Sequence, residues 1–397
     1  MNSDRQPAPS DVLRHMQSQR NDLLGVLQRM TTAESPSNVP SAQYEIREII
    51  AAEFERLGYL VRRIPGRSSG GMLYARPPIR RRNVPAQLLL GHYDTVWPLG
   101  TLDDMPFEVD GDMVRGPGVY DMKGGVAQAL LALDALRRFN VEPWVTPLVF
   151  LNSDEEIGSR ESRRYIEMLA PCMERVFVLE PSLGPAGLLK TARKAIGRFT
   201  VTVRGEAAHA GLDPGAGASA ILELSHVIQA LFAMNDLERG ITVNVGTIDG
   251  GLRPNVVAPR SQAVVDVRVA SQEDAERVES AILGLQPAVA GTSLQVEGGF
   301  GRPAMERTPA NRRLWHLACR LGGELGLQLD EALAGGGSDG NFTSRFTATL
   351  DGLGAVGDGA HASHEHLRID HTLERAALLA LLLMAPPLQA DQESPAP

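Results

Sequence analysis

The sequence predicts an α/β protein: a mixed, mostly parallel sheet with flanking helices, interrupted by a smaller ferredoxin-like α+β module. Continuous apolar runs at Leu88–Leu90, Pro147–Leu151 and Val176–Leu179 read as strands buried on both faces. Segments with helical spacing surround them, which is the pattern of a sheet covered by helices. In the middle of the chain the order changes to β-α-β-β-α-β, the signature of a ferredoxin-like module. A length of 397 residues suits two domains or one elaborated domain.

Taken in order, residues 1–10 are polar and expected to be disordered, as is the tail ADQESPAP. Helical spacing runs from Asp11 to Met30 and again from about Ser41 to Leu57, where Gly58 stops it. YLVRRIP alternates like an edge strand, and Gln87–His92 is the central one. A long Pro/Gly-rich loop follows Asp94 and leads through Tyr120-Asp121-Met122-Lys123-Gly124-Gly125 into the helix VAQALLALDALRRF. That places Asp121 at a helix N-terminus, where the macrodipole favours an anion. The inserted module has strands at Gly197–Arg204, Ile241–Ile248, Gln262–Val269 and Ser293–Gly298, with helices at Ala218–Met234 and Glu273–Leu285. After Thr308 come a helix through Trp315–Gly326, a Gly-rich loop, the strand Ala348–Leu350 and a closing helix over His371–Met384. The expected division is therefore 1–194 and 307–397 for the split outer domain, with 195–306 inserted between them.

Bulk properties narrow the partners. The net charge of -9 and the absence of any Lys/Arg-rich block argue against nucleic acid. No run of about 18 apolar residues is present to enter a membrane, and the first residues lack the apolar core of a signal peptide. Cys172 and Cys319 are far apart and form no Cys-x-x-Cys pattern, so they are expected to be buried structural thiols of a cytoplasmic protein.

The chemistry gathers at the carboxyl ends of the strands, where open α/β sheets bind ligands. His92 and Asp94 are two residues apart, a spacing that lets a carboxylate orient an imidazole. Alone, such a pair is more often a surface His beside a turn Asp. Asn152-Ser153-Asp154-Glu155-Glu156 puts three adjacent carboxylates after a buried strand, a costly arrangement unless a cation gathers them. Glu180 ends the next buried run, and His361, His364 and His366 cluster near the end of the chain. Nitrogen and oxygen ligands in this mix suit zinc, with manganese or cobalt as substitutes. Five ligands exceed one tetrahedral site with an open position. They suit two metals about 3.5–4 Å apart sharing one carboxylate and a water. One of the two adjacent glutamates can ligate while the other takes a proton from that water.

These motifs, GHYDTV, GPGVYDMKGG, NSDEEIGS, VLEP, AAHAG, GGLRPNVVAP, GGGSD and GAHASHEH, resemble those of the co-catalytic dizinc exopeptidases. That family includes glutamate carboxypeptidase, aminoacylase and succinyl-diaminopimelate desuccinylase. The resemblance extends from about Ser41 to Leu388 and is strongest to the glutamate carboxypeptidase branch, through GGGSDGNFT and LDGLGAVGDGAH. It implies that Asp121 bridges two zinc ions, that His92 and Glu180 complete one site, and that Glu156 and His361 complete the other. It selects His361 from the three histidines because Gly359 precedes it and Glu365 follows four residues later. It further implies that Asp94 orients His92, that Glu155 is the general base, and that Asp121-Met122 is a cis peptide.

The inserted module would then be a dimerisation lid, with strand Gln262–Val269 and helix Ala218–Met234 building a self-complementary patch. His209 would stabilise the oxyanion in the partner subunit's site. Arg268, Asn255 and the backbone at Gly336–Gly337 match positions that hold a substrate carboxylate, with Arg193 and Lys194 nearby in sequence. Arg253 is a candidate reader of a second acidic group. The expected reaction is hydrolysis of a small peptide or N-acyl amino acid next to a free C-terminal carboxylate, most often releasing glutamate. N-acyl-amino-acid amidohydrolase and dipeptidase activity are alternatives within this class. A non-catalytic binding protein on the same scaffold is the alternative outside it, and it predicts a lost ligand or base.

Overall fold

The structure, a computed structural model, describes residues 6–79 and 83–388. The tail ADQESPAP and the first five residues lie outside the described residues. Pro9 and Ser10, expected to be disordered, instead begin the helix Pro9–Ser18. The chain divides into two units. One runs to Thr191 and resumes over Arg307–Leu333 and from Ser338; the other comprises Ala192–Glu306 with Ala334–Gly337.

The first unit is built on a six-stranded sheet. Its spatial order is Leu60–Ile64, Met72–Arg76, Thr146–Asn152, Ala86–His92, Met173–Val178 and Ala348–Leu350. The last four are parallel to one another, and the first two run antiparallel, Met72–Arg76 pairing antiparallel with both of its neighbours. Leu88, Leu89 and Leu90 are fully buried, as a strand covered on both faces requires. Met72–Arg76 was not foreseen: it is five residues long, follows a Gly/Ser-rich turn and shows no clear alternation, with Met72, Leu73 and Ala75 all buried.

Helices Gly124–Arg138 and Ile369–Met384 pack against each other, and nearly every residue of both is buried. Arg175 is fully buried and holds the end of the second of these in place. It donates to Gln87 Oε1 at 2.8 Å, to the carbonyls of Leu382 and Ala385 at 3.1 and 2.7 Å, and to that of Pro386 at 2.8 Å. Burial lowers its pKa to about 10, which still leaves it charged against the negative end of the helix.

The Pro/Gly-rich loop after Asp94 is more ordered than expected. It contains a short helix at Thr101–Asp104 and the hairpin strands Glu108–Asp110 and Met113–Arg115. Met113–Arg115 pairs with His366–Arg368, which pairs in turn with Gly357–Asp358. This small sheet ties the segment carrying His361 to the segment carrying Asp121.

In the second unit a four-stranded antiparallel sheet has the order Thr242–Gly250, Arg260–Val269, Ala195–Arg204, Ser293–Arg302. Helices Ala220–Phe232 and Gln272–Leu283 cover one face. Phe199, Val201, Val203, Val265, Val267, Leu231 and Ile282 form its core. Ser219 and Ser271 cap the two helices, each accepting from a backbone N–H three residues on. Three expectations need correction. Strand Arg260–Val269 lies between two neighbours, so its hydrogen-bonding edges are used and the outer strands of the sheet are Thr242–Gly250 and Ser293–Arg302. Ser293–Arg302 is a ten-residue strand rather than a short one. Cys172 is exposed and Cys319 half-buried, because Cys172 closes a surface turn at Ala170–Cys172 instead of entering the next strand.

Replacing Arg175 by Met removes the charged donor from four buried acceptors. The expected loss of unfolding free energy is about 2–4 kcal/mol. A urea titration of Arg175→Met showing a midpoint equal to wild type would refute this role.

Candidate metal centre

Asp94 is completely buried and organises the first half of the site. Its carboxylate accepts from Ser37 Oγ at 2.7 Å and lies 3.3 Å from His92 Nδ1. It also receives the backbone N–H groups of Glu155 and Glu156 at 3.3 and 3.2 Å. One side chain therefore fixes both the imidazole at the end of Ala86–His92 and the 3₁₀ turn Glu155–Ile157 that follows Thr146–Asn152. With Nδ1 engaged by Asp94, His92 turns Nε2 toward Asp121 Oδ1 at 3.4 Å and Glu180 Oε1 at 3.5 Å.

Asp121 stands between two groups. Its other oxygen lies 3.5 Å from His361 Nε2, which is itself 3.1 Å from Glu156 Oε2. His92, Asp121 and Glu180 thus offer one set of converging donor atoms, and Asp121, Glu156 and His361 another, each set within 4.8 Å. Neither His364 nor His366 belongs to such a group among the described residues; His366 Nδ1 faces the carbonyl of His364 instead. Asp121 is not a helix cap, contrary to expectation. The helix begins at Gly124, and Asp121-Met122 is a cis peptide with non-helical dihedrals at both residues.

The donor set fits a pair of cations on two counts. His92 Nε2, Asp121 Oδ1 and Glu156 Oε1 are buried without a hydrogen-bond partner, which is costly unless an ion takes them up. The electrostatics point the same way. Burial and then the Asp121 charge push Glu156 up to about 7, and the carboxylates of Asp121 and Glu156 raise His361 to about 10. Burial alone would lower His92, yet Asp121, Asp94 and Glu180 hold it well above its ordinary value. Protons gather where metal charge would otherwise sit.

Two supporting carboxylates were not singled out from sequence. Asp339 accepts from Asn152 Nδ2 at 2.6 Å and from the Ser159 hydroxyl, bracing both ends of the Glu155–Glu156 turn. Glu365 served only as a motif marker, yet it is fully buried and accepts four N–H groups around Asp121. Recurrent Asp in a Gly-Ser-Asp loop was a visible signal; the acceptor role of Glu365 was not.

The remaining expected residues belong to the second unit. His209 is exposed, and its Nδ1 accepts from the N–H groups of Gly211 and Leu212, both at 3.1 Å. A neutral His209 so held carries its proton on Nε2 and presents a donor. The chain around it pairs with the turn bearing Arg253 and Asn255, since Ala210 N donates to Asn255 O at 3.0 Å. Arg253 and Asn255 are exposed. Arg268 is half-buried and paired with Asp266 at 2.9 Å, and it donates to Gly335 O at 3.1 Å. Gly336 and Gly337 use their carbonyls to accept from Arg193, at 3.2 Å each.

Comparisons with known proteins agree with this geometry. The profile of Peptidase family M20/M25/M40 matches residues 88–385. Carboxypeptidase G2 of Pseudomonas sp. (strain RS-16) is 28% identical over 373 residues, covering 91% of this chain and 88% of the relative. The crystal structure of aminopeptidase PepT from Bacillus cereus superposes with a TM-score of 0.75 at 20% identity, over 92% of this chain and 98% of that one. A dinuclear metal-binding peptidase of Bacillus subtilis does so with a TM-score of 0.67 at 14% identity, over 93% and 98%. With all five ligand-capable residues and both flanking carboxylates present on the same fold, the chain belongs to peptidase family M20/M25/M40 and is a hydrolytic enzyme of the metallopeptidase type.

Proposed function

We propose that the protein is a carboxypeptidase that binds two zinc ions and cleaves a peptide or N-acyl amide bond next to a free carboxylate, with glutamate the preferred leaving amino acid. The observation that carries the metal reading is the sharing of Asp121 between two ligand sets with orphaned buried donor atoms. His92, Glu180 and Asp121 would hold one ion, and Asp121, Glu156 and His361 the other. When bound, such ions polarise a carbonyl oxygen and lower the pKa of water. The residues of the chain do the rest. Glu155 is next to Glu156 in sequence and belongs to neither ligand set, and it is the proposed group that moves a proton from the attacking water to the leaving nitrogen. Asp94 keeps Glu155 in place through its backbone N–H.

Glutamate selectivity rests on the likeness to carboxypeptidase G2 and on arginine placement. Two divalent ions bring four positive charges against the three of Asp121, Glu156 and Glu180, so the centre itself attracts a dianion weakly. Side chains must supply the discrimination. Arg268 with Asn255 is the proposed clamp for the α-carboxylate, using N–H groups not spent on Asp266. Arg253 is exposed and carries no ion pair among the described residues, and it is the proposed reader of the side-chain carboxylate.

Dimerisation is part of the reading. The edge strand Thr242–Gly250, the turn after it and the helix Ala220–Phe232 expose Ile248, Leu252, Ile221, Leu222 and Phe232, an apolar surface suited to a second copy. His209 of one protomer would then donate its Nε2–H to the oxyanion in the partner subunit's site.

Three outcomes are expected. Glu155→Gln keeps both metals by elemental analysis while turnover falls about 10²–10⁴-fold; loss of an ion would mean that Glu155 and Glu156 have been interchanged. Arg268→Ala depresses kcat/KM for every substrate by about one to two decades, whereas Arg253→Ala does so mainly for glutamyl and aspartyl ones. Wild-type preference for neutral residues would overturn the glutamate assignment. Finally, light scattering is expected to give a dimer, and mixing inactive His209→Ala with inactive Glu155→Gln restores activity, because a mixed dimer has one complete site. A mixture that stays inactive places His209 in its own subunit's chemistry or outside it.

A further inference from the structure

Glu365 has a set of partners that no role in binding substrate or metal explains. It is 0% exposed and contacts no other acid or base by hydrogen bond. Its Oε1 accepts from the backbone N–H of Tyr120 at 2.9 Å and of Asp121 at 3.1 Å. Its Oε2 accepts from the N–H of Gly118 at 3.0 Å and from Trp97 Nε1 at 2.8 Å. Three of these donors belong to the four residues ending at Asp121, where the backbone leaves helical geometry and cannot satisfy its own N–H groups. The fourth ties down the loop that follows Asp94.

Glu365 also holds the other end of the centre. Its own N–H donates to Ala362 O at 2.9 Å, closing a turn that follows directly on the one carrying His361, which the Ala362 N–H closes on Gly359 O at 2.9 Å. That turn is tight: a Cβ on Gly359, whose φ is +83°, would stand 2.9 Å from the backbone of Glu365. One carboxylate therefore links the backbone of the shared residue, Asp121, to the segment supplying His361. An anion is the right group, since four N–H donors converge on it. A neutral amide would turn its own NH₂ against two of them.

We infer that Glu365 is a positioning residue of the metal centre: through the backbone of residues 118–121 it sets the direction of Asp121 toward both ligand sets. This rests on the two-metal reading above. Outer carboxylates of this kind typically change metal affinity by about 10–100-fold when removed.

The test is zinc titration of metal-free protein against a chromogenic chelator, with thermal unfolding of each metal-free form alongside. Wild type, Glu365→Gln, Trp97→Phe and Arg175→Met are compared; the last destabilises the fold away from the centre. Wild type is expected to take two ions. Glu365→Gln is expected to bind about 10–100-fold more weakly, and Trp97→Phe, which removes one donor, about tenfold. Arg175→Met should lose stability and keep wild-type affinity. The inference is overturned if Glu365→Gln binds as tightly as wild type, or no more weakly than Arg175→Met. Should Glu365→Gln fail to fold, Trp97→Phe decides, and wild-type affinity in that variant overturns it. A wild type that takes fewer than two ions would refute the two-metal reading itself, and the role of Glu365 would fall with it.

Discussion

Everything in the first unit is arranged to hold like charges together. Asp121 shares one donor set with Glu180 and the other with Glu156, and Asp94 and Glu365 stand just behind them. In a buried setting such crowding raises carboxyl pKa values and opposes folding unless positive charge is supplied. The sheet resists this because its parallel strands are buried on both faces and end together. The loops leaving them are then braced by neutral donors: Ser37 on Asp94, Asn152 on Asp339, backbone N–H groups on Glu365. Each outer carboxylate is satisfied in this way, whereas atoms of the inner ligands are left open. The contrast between satisfied and open acids marks where a cation belongs.

The second unit has no comparable charge problem. Its sheet alternates inward apolar and outward polar residues, as along Ala195–Arg204, and its helices carry ordinary serine caps. It holds His209, fixed by two N–H groups, with Arg253 on the turn beside it, and Arg268 on a strand, restrained by Asp266.

Much of this was legible in the sequence because the signals were long or redundant. Leu88–Leu90 and Val176–Leu179 could hardly be anything but buried strands, and the β-α-β-β-α-β order survived into the observed sheet. His92, Glu156 and Glu180 were visible because each comes soon after an apolar run, whereas Asp121 and His361 were identified through the family motifs. Less legible were features with no periodicity. Met72–Arg76 is too short to alternate, and the hairpin Glu108–Arg115 is stabilised by pairing with His366–Arg368, more than 250 residues later. Spacing could not choose among His361, His364 and His366; the turn at Gly359 and the fixing of Glu365 choose for it. The role of Glu365 itself was hidden, since an acid accepting from backbone leaves no partner residue to read.

The late pairing of His366–Arg368 with Met113–Arg115, and the near-complete burial of Ile369–Met384, bear on when the two donor sets can form during synthesis. A chain halted anywhere before residue 361 has His92, Asp121, Glu156 and Glu180 but neither the second imidazole nor the helix that fills the core beneath them. The donor set of Asp121, Glu156 and His361 can therefore form only after residue 361 has joined the earlier segments, whereas that of His92, Asp121 and Glu180 is encoded within the first half of the sequence.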